Sequence, residues 1–446
     1  MIPKRPINAD VPAPEEKGGR GPLADKEKSQ AKPEQKPSEA PKQANPGAPK
    51  ALAALVVLAL AFIAAAIVFG SGGEGDESGT SAAPTPAPTT ANEAEAPSSP
   101  TTEELGYPSF ATNNTVRIGG SDPVANAAAV SLAVFPSTTE EQRPAAVTVV
   151  GEEDWAGAIA ASVLMAAPVR APMLFSNPEE MPEVSEEALA ALDPQGSKDT
   201  GEAPLFAVGT VAYPGRAAPI DSGDAAATAA EIATLRDRLF GKAPQHIVIA
   251  SSARPDFAMP AAAWAARSGD PVLYAEPEQL PSQTAGYLQR HPKAPVYVLG
   301  PEDVISKDVA GKIEAISKRV ERVAGEDPVA NALALARFRD GSFGWNVNDP
   351  GHGFVLTRSD SPANAAAAAP LSASGTWGPL LLTDDAGTLP PALRSYFLDV
   401  KPGYTDDPTR AFYNHVWVVG DQEAISVEQQ AEVDGLAELA KIGGEE

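Results

Sequence analysis

Cysteine is absent from all 446 residues of the chain. Disulfides, thiolate metal sites and thiol nucleophiles are therefore excluded. An exported body without disulfides has to be large enough to hold itself together by apolar burial, which a few hundred residues can do. Histidine is scarce as well, with only His246, His291, His352 and His415. No two of them have zinc-motif spacing on one helix, and each reads as a structural side chain. No phosphate loop, no G-x-G-x-x-G after a strand and no nucleophile elbow occurs, so no metal, nucleotide or other cofactor is expected. Basic residues are outnumbered, with 34 Lys and Arg against 59 Asp and Glu and a formal charge of -25. A chain this acidic lacks the basic face that nucleic acid requires, and that partner is excluded.

Long apolar runs are also missing, with one exception. Nineteen residues from Ala51 to Phe69 carry no charge. At about 1.5 Å rise per residue such a helix reaches roughly the thickness of a bilayer core, and a helix apolar on every face suits lipid. Residues 1–50 hold ten Lys and Arg against seven acids, whereas Gly70 to Asn114 holds seven acids and no base. Basic residues stay on the cytoplasmic side, so the expectation is an uncleaved single-pass anchor with the N-terminus inside and the remainder outside. A cleavable signal peptide has a much shorter basic leader than the fifty residues found here.

Residues 1–50 are rich in Pro, Lys, Glu and Gln and read as a disordered cytoplasmic tail. Residues 51–70 form the predicted membrane helix, and 71–114, rich in Gly, Ser, Thr and Pro, a disordered stalk. From Thr115 onward, short β-branched runs alternate with Ala-rich stretches, the pattern of βαβ units with mainly parallel sheets. Strand candidates include Ala146–Val150, Pro172–Phe175, Leu205–Val208, His246–Ile249, Val272–Tyr274, Val296–Leu299, Phe354–Thr357, Pro379–Leu382 and Val416–Val419. Helix candidates include Pro123–Val134, Gly157–Ala166, Ala226–Leu239 and Pro328–Phe338.

The alternation hides a repeat. Asp-Pro-Val-Ala-Asn-Ala occurs at 122–127 and again at 327–332, after Arg117-Ile118-Gly119-Gly120 and Arg322-Val323-Ala324-Gly325. A weaker copy, Ser222-Gly223-Asp224-Ala225-Ala226-Ala227, lies halfway, which spaces the three aspartates by 102 and 103 residues. An Ala-rich helix, an apolar strand before a Leu-Pro or Met-Pro helix start, and a strand-to-glycine turn at Gly209, Gly300 and Gly420 recur in the same order. Repeat units are expected at 115–215, 216–318 and 319–437, with a tail at 438–446. The acids before Pro123 and Pro328 suit helix N-caps, with proline at the first helical position. The same helix starts would also favour an anionic ligand.

This order of landmarks resembles the cell wall binding repeat 2 family, which occurs as three tandem copies on surface proteins of thick-walled bacteria. The third repeat carries the resemblance best, through Arg322-Val323-Ala324-Gly325-Glu326-Asp327, Leu381-Leu382-Thr383-Asp384, Leu389-Pro390 and Val418-Val419-Gly420 with Ile425-Ser426. The second contributes Val298-Leu299-Gly300 with Val304-Ile305-Ser306. The resemblance covers roughly 115–437. It implies an α/β body of three tandem Rossmann-like units around a pseudo-threefold axis, attached non-covalently to an anionic wall polymer. Candidate ligand residues are Arg117, Asp122, Asn126, Asp224, Arg322, Asp327 and Asn331.

Two departures bear on the ligand. Pro123, Ala225 and Pro328 stand where the family places a basic residue, and Gly157 and Asn364 stand near the aspartate of its Pro-Asp-Ala-Leu helix start. An acidic body repels a polyanion unless local arginines or divalent cations intervene. The expected function is a non-enzymatic, membrane-anchored extracellular protein that binds a cell-wall polymer. A surface scaffold for envelope proteins is the alternative, and a diverged wall hydrolase or amidase (or amidase modifier) a lesser one.

Overall fold

In the computed structural model, residues 110–220, 223–374 and 377–443 are described. The apolar run Ala51–Phe69, the tail before it and the stalk after it lie outside these residues. Among the described residues no helix is long and apolar enough to cross a membrane.

The body is mixed α/β, with three parallel sheets of like strand order. The first sheet runs Met173–Ser176, Val147–Gly151, Leu205–Val208, Ala218–Ile220. The second runs Val272–Ala275, Ile247–Ser251, Val296–Leu299, Val320–Val323. The third runs Leu380–Thr383, Gly353–Arg358, His415–Val419, Thr115–Ile118, and the short Phe110–Ala111 pairs antiparallel to its edge. Inner strands such as Val-Thr-Val-Val at 147–150 and Ile-Val-Ile-Ala-Ser at 247–251 are buried along their length, as sheets covered on both faces require.

The last parallel strand of each sheet comes from the lead-in of another repeat. Ala218–Ile220 and Val320–Val323 open the second and third repeats yet complete the sheets of the first and second. Thr115–Ile118 completes the sheet of the third, with Arg117 opposite Val418, so the described chain closes on itself. Sheet membership is thus offset by one strand from the sequence repeats.

Helices Trp155–Ala161, Pro260–Ser268 and Ala363–Ala373 are almost fully buried and pack against one another between the sheets. Alanine permits that approach, since larger side chains would hold the helix axes further apart. Helix Ala363–Ala373 also packs against Pro123–Val134, which ties the third repeat to the first. Gly209, Gly300 and Gly420 end their strands at φ 72°, 101° and 121°, a region that L side chains rarely adopt. The glycines marking the repeat in the sequence are there for that turn.

Candidate functional site

Three helix starts carry most of the candidate residues. Asp122, Asp224 and Asp327 are N-caps whose carboxylates accept from the N–H of Ala125, Ala227 and Ala330 at 2.9, 2.8 and 2.7 Å. Four residues on, buried Asn126 accepts from Gly120 N–H at 2.7 Å and donates through Nδ2 to Asn364 Oδ1 at 2.9 Å. Asn331 accepts from Gly325 N–H at 3.3 Å and donates to Phe257 O at 3.2 Å. Asn364, near the start of Ala363–Ala373, and Phe257, in the short helix Pro255–Ala258 that precedes Pro260–Ser268, hold matching places in the preceding repeats in the closed order, so each asparagine joins two repeats. In the middle copy Thr228 Oγ1 takes the glycine N–H at 3.2 Å.

Arg117 and Arg322 lie in different sheets. The Arg117 side chain donates to Gly420 O, Asp421 O and Ile425 O at 2.8, 2.6 and 2.6 Å, and to Gln430 Oε1 at 3.0 Å. Burial pushes its pKa down to about 10, against a raising influence from Asp421, which leaves it charged at neutral pH. Arg322 repeats the arrangement on Gly300 O, Pro301 O and Ile305 O at 2.7, 3.2 and 2.8 Å, and burial lowers its pKa too. The corresponding register position of the middle lead-in is Pro219. Both guanidiniums therefore spend their donors on the glycine turn beside them. Arg319, a further basic residue of the third lead-in, pairs with Asp340.

A cleft of about 580 Å³ opens where the first repeat meets the third. Asp122, Pro123 and Val124 come from the first helix start, Glu152, Glu153 and Trp155 from the turn after Val147–Gly151, and Asp360, Ser361, Pro362 and Ala363 from the matching turn of the third repeat. Pro182 and Val184 complete the lining, which includes no lysine, arginine or histidine. Asp360 is held by Arg358 at 2.5 Å, and Trp155 stands edge-on to Tyr274 with centroids 5.8 Å apart. The starts of helices Pro123–Val134 and Ala363–Ala373 direct partial positive charge inward, a small offset to four carboxylates. The cleft can therefore attract cations, with Trp155 as the aromatic residue of its lining, whereas a bare anion meets repulsion. Among the described residues no cluster of three or more His, Asp or Glu is arranged to hold a metal ion.

Of the candidate residues the structure brings only Asp122 to this cleft. Asp224, Asp327, Asn126 and Asn331 sit at helix starts and seams, and the arginines at glycine turns. Glu152 and Glu153 read from the sequence as a solubilising acidic cluster and Asp360 carried no signal, because acidic residues are everywhere in this chain. Trp155 carried a usable signal, an aromatic side chain where the other two repeats have proline.

The family model described as cell wall binding domain 2 matches residues 220–310 and 322–430. Two solved structures share the fold. Cwp8 from Clostridium difficile is similar at 17% identity and a TM-score of 0.55, over 73% of this chain and 52% of that one. Cwp6 from Clostridium difficile is similar at 19% identity and a TM-score of 0.57, over 73% of this chain and 48% of that one. The chain thus spans about half the length of the structures it matches. No curated protein matches it.

Proposed function

We propose, from the premise that the chain belongs to the cell wall binding domain 2 family through residues 220–310 and 322–430, that it is a surface protein holding a wall polymer in the cleft between its first and third repeats. The observation that carries this reading is the cleft itself, concave, walled by two repeats, and floored by Asp122, Glu152, Glu153 and Asp360 beside Trp155. We read its role there as binding without turnover, and the body as three Rossmann-like units about a pseudo-threefold axis. Residues 51–70 would tether it as one membrane helix, with 1–50 cytoplasmic and 71–114 a stalk.

The acidity of the lining sets the binding condition. An anionic glycopolymer would need divalent cations to bridge its charges to the four carboxylates. The full chain in detergent, sedimented with purified walls, should be retained in calcium and released by chelator. Glu152→Gln with Glu153→Gln should lower retention about tenfold. Retention indifferent to both calcium and these substitutions would count against the cleft.

The scaffold reading has one observation in its favour. Phe412 and Tyr413, on the loop before His415–Val419, are 71% and 54% exposed. Envelope proteins captured from detergent extracts and lost in Phe412→Ser, with wall retention unchanged, would favour it.

A further inference from the structure

Away from the cleft, a serine, a histidine and an aspartate stand in hydrogen-bonded series. Asp270 follows helix Pro260–Ser268 and is 2% exposed. Its Oδ2 accepts from the Trp264 indole at 3.1 Å and faces His246 Nδ1 at 3.0 Å, while Oδ1 accepts from the His246 backbone N–H at 3.1 Å. Its own N–H is held by Ser268 Oγ at 3.0 Å. The His246 ring stands edge-on to Tyr297 and Phe343, with centroids at 5.8 and 5.5 Å. On the other side of the ring, Nε2 lies 3.2 Å from Ser342 Oγ.

The hydrogen-bond network favours one tautomer. The Asp270 carboxyl oxygens already accept from the Trp264 indole and the His246 backbone N–H, so Nδ1 is the natural donor toward them. In the neutral ring with that tautomer, Nε2 presents its lone pair to the Ser342 hydroxyl. Ser342 is exposed, at a tight turn closed by Asp340 N–H to Phe343 O at 2.8 Å and Phe343 N–H to Asp340 O at 3.0 Å. Asp340 is itself held by the Tyr297 hydroxyl at 2.9 Å and by Arg319. A buried acid, an oriented imidazole and an accessible hydroxyl thus occur in the order that nucleophilic acyl transfer uses.

We propose that Ser342 is a nucleophile activated by His246, with Asp270 as the positioning residue, and that it acts on small carboxylic esters projecting from a larger molecule. In the first step Oγ bonds to the acyl carbon as its proton passes to Nε2. The ester C–O bond then breaks and the departing alcohol takes that proton. Water next attacks the acyl-serine, giving a proton to Nε2. Collapse releases the carboxylic acid and returns the proton to Oγ. The exposed setting defines the ester class, because a hydroxyl on a surface turn meets an acyl group that protrudes toward it. This assignment does not depend on the cleft or on wall binding.

A fluorophosphonate probe and p-nitrophenyl acetate, applied to the full chain in detergent, test it. The expected result is one phosphonyl adduct on Ser342, identified by peptide mass spectrometry, and ester hydrolysis lost in Ser342→Ala. Folded Asp270→Asn should label about 10²- to 10⁴-fold more slowly, the range a positioned base supplies. If that variant does not fold, the wild-type chain decides by comparison with itself in urea, where labelling should fall at least tenfold. Failure of the folded chain to label at Ser342, or labelling no faster than in urea, overturns the proposal and leaves the hydroxyl a pin for its turn.

Discussion

Where strand Thr115–Ile118 joins the sheet of the third repeat, Arg117 threads its guanidinium under the Gly420 turn and bonds to three carbonyls and Gln430. Where Ala218–Ile220 joins the sheet of the first repeat, Pro219 occupies that register position, and no side chain can follow. Arg322 at the remaining seam is intermediate, half-buried with three carbonyl partners. The three seams differ also in how far the chain travels between paired residues. Pro219 lies 12 residues from Ala207, Arg322 lies 24 from Val298, and Arg117 lies 301 from Val418. For a flexible loop, closing the longest rather than the shortest costs at most about 3 kcal/mol more. The strongest clamp stands at the seam with the longest return, and the seam closed by a short return has none.

That ordering can be broken one seam at a time. Arg117→Ala leaves buried carbonyls and Gln430 Oε1 without their donor, and should destabilise by about 3 kcal/mol or more. The urea midpoint and amide exchange of residues 115–118 would register it, and exchange should rise there first. Arg117→Lys should not restore stability, because a single ammonium cannot reach a fork of carbonyls. Arg322→Ala, at a half-exposed site, should cost about 1–2 kcal/mol. Pro219→Ala should change stability by less than about 0.5 kcal/mol, since Pro219 is exposed and touches no glycine turn. An Arg322→Ala loss equal to that of Arg117→Ala would remove the link between clamp strength and chain separation.

The same contrast explains what could be read in advance. The apolar inner strands were legible: each of the nine candidates overlaps an observed strand, and Leu205–Val208 and Val296–Leu299 agree in both bounds. Helix Pro123–Val134 was legible from its cap and its proline. The three lead-in strands were visible only as motifs. They are short edge segments carrying arginine, glutamate or proline, and their strand character comes from the sheet they join rather than from their own pattern. Fold class followed from alternation and repetition, which are local. The cleft depends on closure, since Glu152 and Asp360 share one lining where the pairing of Thr115–Ile118 and the packing of Ala363–Ala373 on Pro123–Val134 join the first repeat to the third. Nothing in their immediate surroundings announces that meeting. Resemblance pointed to the lead-in arginines as ligand residues, and what their motif preserves in this chain is a hydrogen-bonded turn.

The central helices give a finer comparison. Helix Trp155–Ala161 of the first repeat is capped by Asp154, which accepts from Gly157 N–H at 2.8 Å. At the matching turns of the other two repeats, helices Pro255–Ala258 and Ala363–Ala373 start at Arg254 and Pro362 with no side-chain cap. A Cβ on Gly157 would fall 2.2 Å from Asp154 Oδ2, so the cap and the glycine go together, whereas the third repeat has Asn364 in the glycine's place. Desolvation of the Asp154 carboxyl raises its pKa above 3.8, outweighing the lowering by the Gly157 N–H. A carboxyl raised in this way binds its proton more tightly in the folded chain than in the unfolded one. Its stabilising contribution is present below about pH 3.8 and is lost as pH rises through the folded value. Asp154→Asn keeps an acceptor for the cap and removes the charge. The stability of this variant relative to wild type should therefore increase from pH 3.8 upward and then level off, while the other carboxylates cancel in the difference. Thermal melts of both proteins across that range would measure it. A difference independent of pH would mean that the first repeat caps its central helix without desolvating an acid, and the contrast with the uncapped repeats would reduce to one hydrogen bond.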